Sequence, residues 1–144
     1  MLEPGIIILE LSSYQLDGIK KLKLDIASII NITPDHIDFH ETFDKYISSK
    51  LKILSCLNIN GILVFNKNDE FLKKIIQYQK NTSIKLLEAD KSSVDEFIND
   101  NNYLKGNHNS INASIAITIA KKLNIQESQI KPAIESFVGL PHRM

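Results

Sequence analysis

Residues 25–66 read DIASIINITPDHIDFHETFDKYISSKLKILSCLNINGILVFN, and this stretch decides the fold. Residues 25–31 are rich in β-branched side chains and predict a strand, which ends in a turn over residues 33–35. Residues 43–57 repeat apolar side chains with a helical period, and residues 62–66 form a second short apolar run. Strands that alternate with helices in this way are typical of βα units around a mainly parallel sheet.

The same alternation continues on both sides of this unit. Before it, the sequence predicts a strand over residues 6–10 and a helix over 12–22 capped by Ser12 or Ser13. After it, the sequence predicts a helix over 69–80 and a strand over 84–89. Two further helices are predicted over 110–123, capped by Asn109, and over 127–137, closed by a left-handed Gly139. Residues 91–105 are polar and have no clear period. We therefore expect an α/β fold in which helices flank a mainly parallel sheet.

Composition limits the kind of protein and the kind of binding partner that we expect. A chain of 144 residues with 43% hydrophobic side chains is long enough for one packed domain. Basic and acidic residues both number 17, so the chain has no net charge that would attract nucleic acid or an anionic membrane. No apolar run approaches the roughly 18 residues of a membrane span. The single cysteine, Cys56, is expected to be a packed thiol, which fits a reducing, cytoplasmic location.

Two polar clusters follow the first two predicted strands. Glu10 opens the run ELSSYQLD, and His36 lies in the run NITPDHIDFH. Ligands of parallel sheets bind beyond the carboxyl ends of the strands, so the two side chains could share a divalent cation there. Carboxylate oxygen suits Mg²⁺, whereas histidine is a less usual ligand for it. The alternative is a solvated Glu10 and a polar turn that includes Asp35, Asp38 and His40.

Lys50 is unusual for its position on the helix predicted over residues 43–57. Helical spacing puts it between Tyr46 and Leu54, on the face that should be buried, although lysines are seldom fully buried. In one interpretation its methylenes cover the core and its ammonium group stays in water. In the other, the side chain is desolvated and its neutral amine is nucleophilic.

Polar residues near the last two helices could bind a nucleotide. The residues that open the first of these helices are Asn107, His108, Asn109 and Asn112. Free backbone amides at a helix start suit an anion, although Asn109 could simply cap the helix. Asn112 shares a helical face with Ile115, and as a buried amide it would need a protein or ligand partner. Arg143, beyond the last helix, could clamp phosphates or lie in solvent.

Four motifs together resemble the Mur ligase family in order and spacing. They are ELSSYQLD, NITPDHIDFH with a lysine-bearing helix after it, GNHNSINA and GLPHRM, and they cover nearly the whole chain. ELSSYQL is most similar to the members that add D-glutamate, since sister ligases carry different residues after the shared glutamate. The resemblance implies part of the three-layer, P-loop-like central domain of a Mur ligase.

The resemblance also implies an activity in peptidoglycan synthesis. A ligase of this kind uses ATP to convert the terminal carboxylate of UDP-N-acetylmuramoyl-L-alanine into an acyl phosphate, which the amine of D-glutamate attacks; Mg²⁺ neutralises the phosphate charge. By motif match, the resemblance implies that Glu10, His36 and a carbamylated Lys50 are metal ligands, and that His36 and Lys50 are also catalytic. It implies nucleotide contacts at Asn109, Asn112 and Arg143. It implies substrate contacts at Ser12 and Gln15.

One family motif does not occur in the chain. None of the five glycines is followed by lysine and then serine or threonine, so the loop that wraps the ATP phosphates is not encoded in it. We expect residues 1–144 to be the C-terminal portion of the central domain, without the UDP-binding and amino-acid-binding domains. Such a chain should be inactive alone, unless a separately encoded half completes it. Alternatives are a fragment of another Mur-type or folylpolyglutamate-like ligase, which ELSSYQL argues against, and a non-catalytic remnant that binds a nucleotide or a partner.

Overall fold

The computed structural model describes residues 5–34, 37–78, 83–98 and 101–139. Its α-helices are α1 (Ser13–Gly18), α2 (Ile37–His40), α3 (Phe43–Cys56), α4 (Glu70–Tyr78), α5 (Asp95–Ile98), α6 (Asn107–Lys122) and α7 (Glu127–Glu135). Its strands are β1 (Leu24–Ile29), β2 (Leu57–Asn66) and β3 (Lys85–Ala89). Short 3-10 helices cover Lys91–Ser93 and Asn102–Leu104. Among these described helices, none is both long and apolar enough to cross a membrane.

The strand β2 is the centre of the sheet. The strands lie in the order β1-β2-β3, and both pairings are parallel. Leu63 and Val64 of β2 are completely buried, and Phe65 is nearly so. Because consecutive side chains of a strand point to opposite faces, this run must be covered on both faces of the sheet.

Helices supply that cover on each side. Leu63 and Phe65 pack in one core cluster with side chains of α1, α3 and α4. Val64 packs on the opposite face with Ile115 of α6. A further cluster, which includes Ile130, joins α5, α6 and α7. The predicted α/β fold, with a parallel sheet between layers of helices, is confirmed.

The strand predicted over residues 6–10 is wrong. Residues 5–10 have no regular secondary structure, and the side chains of Ile7 and Ile8 are 85% and 89% exposed. β-branched residues favour an extended backbone, but a strand also needs a neighbour for its hydrogen bonds, and no described strand pairs with this run. A segment with the composition of a buried strand therefore lies in solvent.

The strand β2 begins at Leu57 rather than at the predicted residue 62. Its pairing with β1 shifts register within this early stretch, so the backbone bulges away from the regular ladder. Gly61 permits the bulge, because a Cβ atom there would lie 2.8 Å from the backbone oxygen of Asn58. This early start was not predicted from a short apolar run, since Asn58, Asn60 and Gly61 interrupt the apolar residues there.

We predict that the exposed run Ile6–Leu9 causes the chain to self-associate. Contiguous apolar residues with high β propensity favour pairing between molecules. The double substitution Ile7→Lys and Ile8→Lys should shift sedimentation velocity profiles toward the monomer without lowering the melting temperature, because both side chains are already in solvent.

The matched control is Ile59→Lys, since Ile59 is 84% exposed but lies outside that run in the sequence. This control should leave the association almost unchanged. A chain that is monomeric before any substitution would contradict the prediction.

Candidate functional site

Polar side chains meet at the carboxyl edge of the sheet. Because β1, β2 and β3 are parallel, the residues that follow them lie along one edge. Lys50 Nζ donates a hydrogen bond of 2.9 Å to the backbone oxygen of Asn31, which follows β1. Lys67, after β2, forms a 2.9 Å ion pair with Asp90, after β3. Hydrogen bonds from Lys67 and Ser92 hold the pKa of Asp90 at about 2, and the same pair raises the pKa of Lys67.

Lys50 lies at the rim of the buried face of α3. The side chain is half-buried, and Nζ lies 5.1 Å from the centre of the Tyr46 ring. The buried residues of α3 are Tyr46, Ser49, Ile53, Leu54 and Cys56, and the burial predicted for Cys56 is confirmed. The helix is therefore rotated slightly from the predicted stripe, and the Lys50 amine reaches past the core to the edge of the sheet.

Ser12 and Gln15 form the N-terminal cap of α1. The backbone amide of Gln15 donates to Ser12 Oγ at 3.3 Å, and the backbone amide of Ser12 donates to Gln15 Oε1 at 2.8 Å. This reciprocal pair satisfies two amides that a helix start otherwise leaves open. Both residues are exposed, as is Glu10 before them, so all three remain accessible. The helix ends at Gly18 rather than at residue 22, because Ile19 is already extended.

His40 is buried, whereas one of the two interpretations of the sequence placed it in a polar turn. The side chain is 5% exposed, and its Nε2 shares a hydrogen bond of 2.9 Å with Ser13 Oγ. The rings around His40 belong to Tyr14, Phe39 and Tyr46, with centroid distances of 4.9 to 5.5 Å. This contact could not be predicted from the sequence, because no periodic signal links residues 27 positions apart.

A second link joins α1 to α3. Asp17 accepts hydrogen bonds from Ser49 Oγ at 3.0 Å and from Lys52 Nζ at 2.6 Å. The Lys52 hydrogen bond, with a smaller contribution from Ser49, lowers the pKa of the Asp17 carboxyl group below its usual range. The segment that follows Glu10 is thus fixed to the helix that carries Lys50.

The start of α6 differs from the prediction. The capping residue is Gly106, with φ of 98°, rather than Asn109. The Asn109 side chain instead donates to the backbone oxygens of Tyr103 and Lys105, at 3.3 and 3.0 Å. Gly106 allows the helix to start three residues early, since a positive φ suits glycine.

Asn112 is exposed, so the expectation of a buried amide is wrong. The buried side of α6 consists of Ala113, Ser114, Ile115 and Ile117. Asn112 precedes this group and points away from the core, which leaves its amide open to solvent. A requirement for an internal partner therefore does not apply to it.

Asn101 is a buried residue that the sequence analysis did not single out. Its side-chain amide donates to the backbone oxygens of Ile134 and Phe137, at 2.7 and 2.8 Å, and its oxygen accepts from the Tyr103 amide. Asn101 therefore holds the end of α7 to the loop before α6. Gly139 follows with the predicted left-handed φ of 68°. The remaining predicted site residues, His36 and Arg143, lie outside the described residues.

The match to a known family covers most of the chain. A family model described as the Mur ligase middle domain matches residues 2–126. This chain belongs to the Mur ligase family. The family match thus agrees with the motifs in the sequence and with the observed sheet between two layers of helices.

Curated relatives of this Mur ligase chain are named UDP-N-acetylmuramoylalanine–D-glutamate ligases. The protein from Novosphingobium aromaticivorans is 37% identical over 143 residues, which cover 99% of the chain and 32% of the relative. The one from Rickettsia prowazekii is 35% identical and that from Zymomonas mobilis 37%, with 95% and 97% of the chain and 35% and 31% of the relative covered. The chain spans about a third of the length of these relatives.

Of the magnesium ligands predicted for this Mur ligase chain, Glu10 and Lys50 lie within the described residues and His36 does not. Mg²⁺ takes oxygen ligands, and of the predicted set Glu10 offers a carboxylate whereas Lys50 acts as a hydrogen-bond donor. Across residues 5–34, 37–78, 83–98 and 101–139, no three His, Cys, Asp or Glu side chains group so that they could hold a metal ion. The set of Glu10, His36 and carbamylated Lys50 therefore stays a prediction.

We predict that Ser12 stabilises the fold through its cap, independently of any role in binding. Ser12→Ala removes the oxygen that accepts from the Gln15 amide and should lower the free energy of unfolding by about 1 kcal/mol, measured by urea titration. Ser48→Ala is the control, since Ser48 is exposed within α3. Equal unfolding free energies for the two variants would refute the capping role.

Proposed function

We propose that this chain is the part of a D-glutamate-adding Mur ligase that lies around the reacting carboxylate and the nucleotide. The observation that carries the proposal is the match of nearly the whole chain, at 32–37% identity, to ligases named for this reaction. The motif ELSSYQL supports the same choice within the family. The proposed location is the cytoplasm.

The proposed reaction has two chemical steps. An oxygen of the terminal carboxylate of UDP-N-acetylmuramoyl-L-alanine attacks the γ-phosphorus of ATP, and ADP leaves. The unprotonated amine of D-glutamate then attacks the carbon of the acyl phosphate; phosphate leaves, the nitrogen loses a proton and an amide bond remains. Catalysis of such steps depends mainly on positioning and on stabilisation of charge.

Two groups of residues have proposed roles at the reacting end. Glu10, His36 and a carbamate on Lys50 are proposed to hold Mg²⁺, which would stabilise the phosphate charge when bound. The carbamate forms when the neutral Lys50 amine attacks CO₂ and loses one proton. The position of Lys50 at the carboxyl edge of the sheet supports its role, because ligands of parallel sheets bind there. Ser12 and Gln15, exposed at the start of α1, are proposed to contact the muramoyl substrate.

The proposed nucleotide contacts come from the other end of the chain. Asn112 is exposed on the first turns of α6, and Asn109 is half-buried beside it. Both amides are thus near a helix start, where backbone amides attract anions. Arg143 is the third proposed contact. The chain encodes no Gly-Lys-Ser/Thr loop. We therefore propose that it is inactive alone and that another polypeptide segment binds the ATP phosphates.

A chimeric ligase tests the proposal. The chain replaces the matching third of the Novosphingobium aromaticivorans enzyme, and ligation of D-glutamate to UDP-N-acetylmuramoyl-L-alanine is measured with ATP. We predict D-glutamate-dependent release of ADP and formation of the amide product. Lys50→Ala should lower turnover on the order of 10²-fold, because a group that stabilises the transferred phosphoryl is lost. Added acetate should restore part of the rate.

Lys45→Ala is the matched control on the same helix. Among the described residues, the ion pair of Lys45 is with exposed Glu41, so its loss should leave turnover close to that of the unsubstituted chimera. A chimera that folds by circular dichroism but does not ligate D-glutamate would refute the proposed function. Near-normal turnover of Lys50→Ala would leave Lys50 with a packing role only.

A further inference from the structure

His40 is a contact point of three segments that carry proposed site residues. It closes α2, its ring nitrogen reaches Ser13 in α1, and its ring packs against Tyr46 in α3. Ser13 directly follows Ser12, and Tyr46 lies one helical turn before Lys50. Glu10, Ser12 and Gln15 lie within three positions of Ser13. Each proposed residue of the reacting end that the structure describes is thus close in sequence to a partner of His40.

The hydrogen bond to Ser13 makes this contact specific. Both side chains are nearly excluded from water, with exposures of 5% for His40 and 4% for Ser13. A buried polar group without a partner is costly, so each of the two groups requires the other at hydrogen-bond distance. An apolar side chain could fill the same space, but it would tolerate small shifts of α1 that a directional bond at 2.9 Å does not.

Tyr46 continues the connection to Lys50. The centroid of its ring lies 5.5 Å from that of His40, and the Lys50 amine lies 5.1 Å from the same ring. The Tyr46 side chain is 3% exposed, so it has little freedom to turn away. A displacement of His40 is therefore transmitted to the surface against which Lys50 lies.

We infer that His40 is a positioning residue, which fixes α1 relative to α3 so that Ser12 and Gln15 stand at a set distance from Lys50. This inference rests on the proposed function of the chain. His40 touches no substrate in this arrangement. It acts through Ser13 on the start of α1 and through Tyr46 on Lys50, and it thereby holds the substrate end and the phosphoryl end of the site in one geometry.

The first test uses the chimeric ligase. His40→Leu keeps the bulk of the side chain but removes the hydrogen bond, and Ser13→Ala removes the bond from the other side. Each substitution should lower kcat/KM for UDP-N-acetylmuramoyl-L-alanine on the order of 10²-fold, since a misplacement of about 1 Å has an effect of that size. The double variant should lose little more than either single variant, because one shared bond is lost.

Ile130→Ala is the control for loss of stability alone. Ile130 is buried in the separate cluster of α5, α6 and α7, so its truncation destabilises the chain without touching His40. This variant should keep kcat/KM within a few-fold of the unsubstituted chimera at a temperature where all variants are folded. An equal loss in Ile130→Ala, or full additivity of the other two substitutions, would overturn the positioning role.

The second test needs no activity and uses the 144-residue chain itself. The ε-methylene protons of Lys50 should have NMR shifts displaced by the Tyr46 ring, and His40→Leu and Ser13→Ala should both move these shifts toward solvent values, whereas Ile130→Ala should not. Unchanged Lys50 shifts in both variants would overturn the inference. If the unsubstituted chimera is inactive while these shifts respond as expected, the proposed function fails and the geometric link stands.

Discussion

The parallel pairing of β2 with both of its neighbours is the constraint on which the rest of the structure depends. It buries Leu63, Val64 and Phe65 on alternate faces, so helices must cover both sides of the sheet. It also points the ends of the three strands to one edge, where Asn31, Lys67 and Asp90 follow them. The site therefore owes its location to the direction of the strands, and its detailed shape to contacts between the helices beside them.

Much of the sheet was predictable, because its signals are local. β1, β3 and α3 lie close to their predicted bounds, since a short β-branched run or an unbroken helical period is sufficient to predict each. The run over residues 6–10 has the same local signal but forms no strand, since pairing is a property of neighbours rather than of the segment.

The prediction of the site was limited in a similar way. Helical spacing predicted Lys50 on the inner face of α3, and the family motifs add the chemical roles. The contact of Lys50 with Asn31 at the sheet edge was not predicted. The burial of His40, its bond to Ser13 and the clamp at Asn101 depend on packing between distant segments, which spacing alone does not reveal. Asn112 was expected inside because its period matches Ile115, but the buried face of α6 is centred on other residues. Polar residues that hold helices together were therefore the ones that sequence analysis overlooked.

We have proposed that this chain contributes about a third of a ligase that adds D-glutamate. Growth of bacteria measures that claim most directly. Cells depleted of their own D-glutamate ligase receive the chimeric enzyme that carries this chain, and a parallel culture receives a chimera with the matching segment of an alanine-adding Mur ligase. The account predicts that only the first culture grows with intact walls. Lysis of that culture, although the chimera is present and folded in the cells, would contradict it.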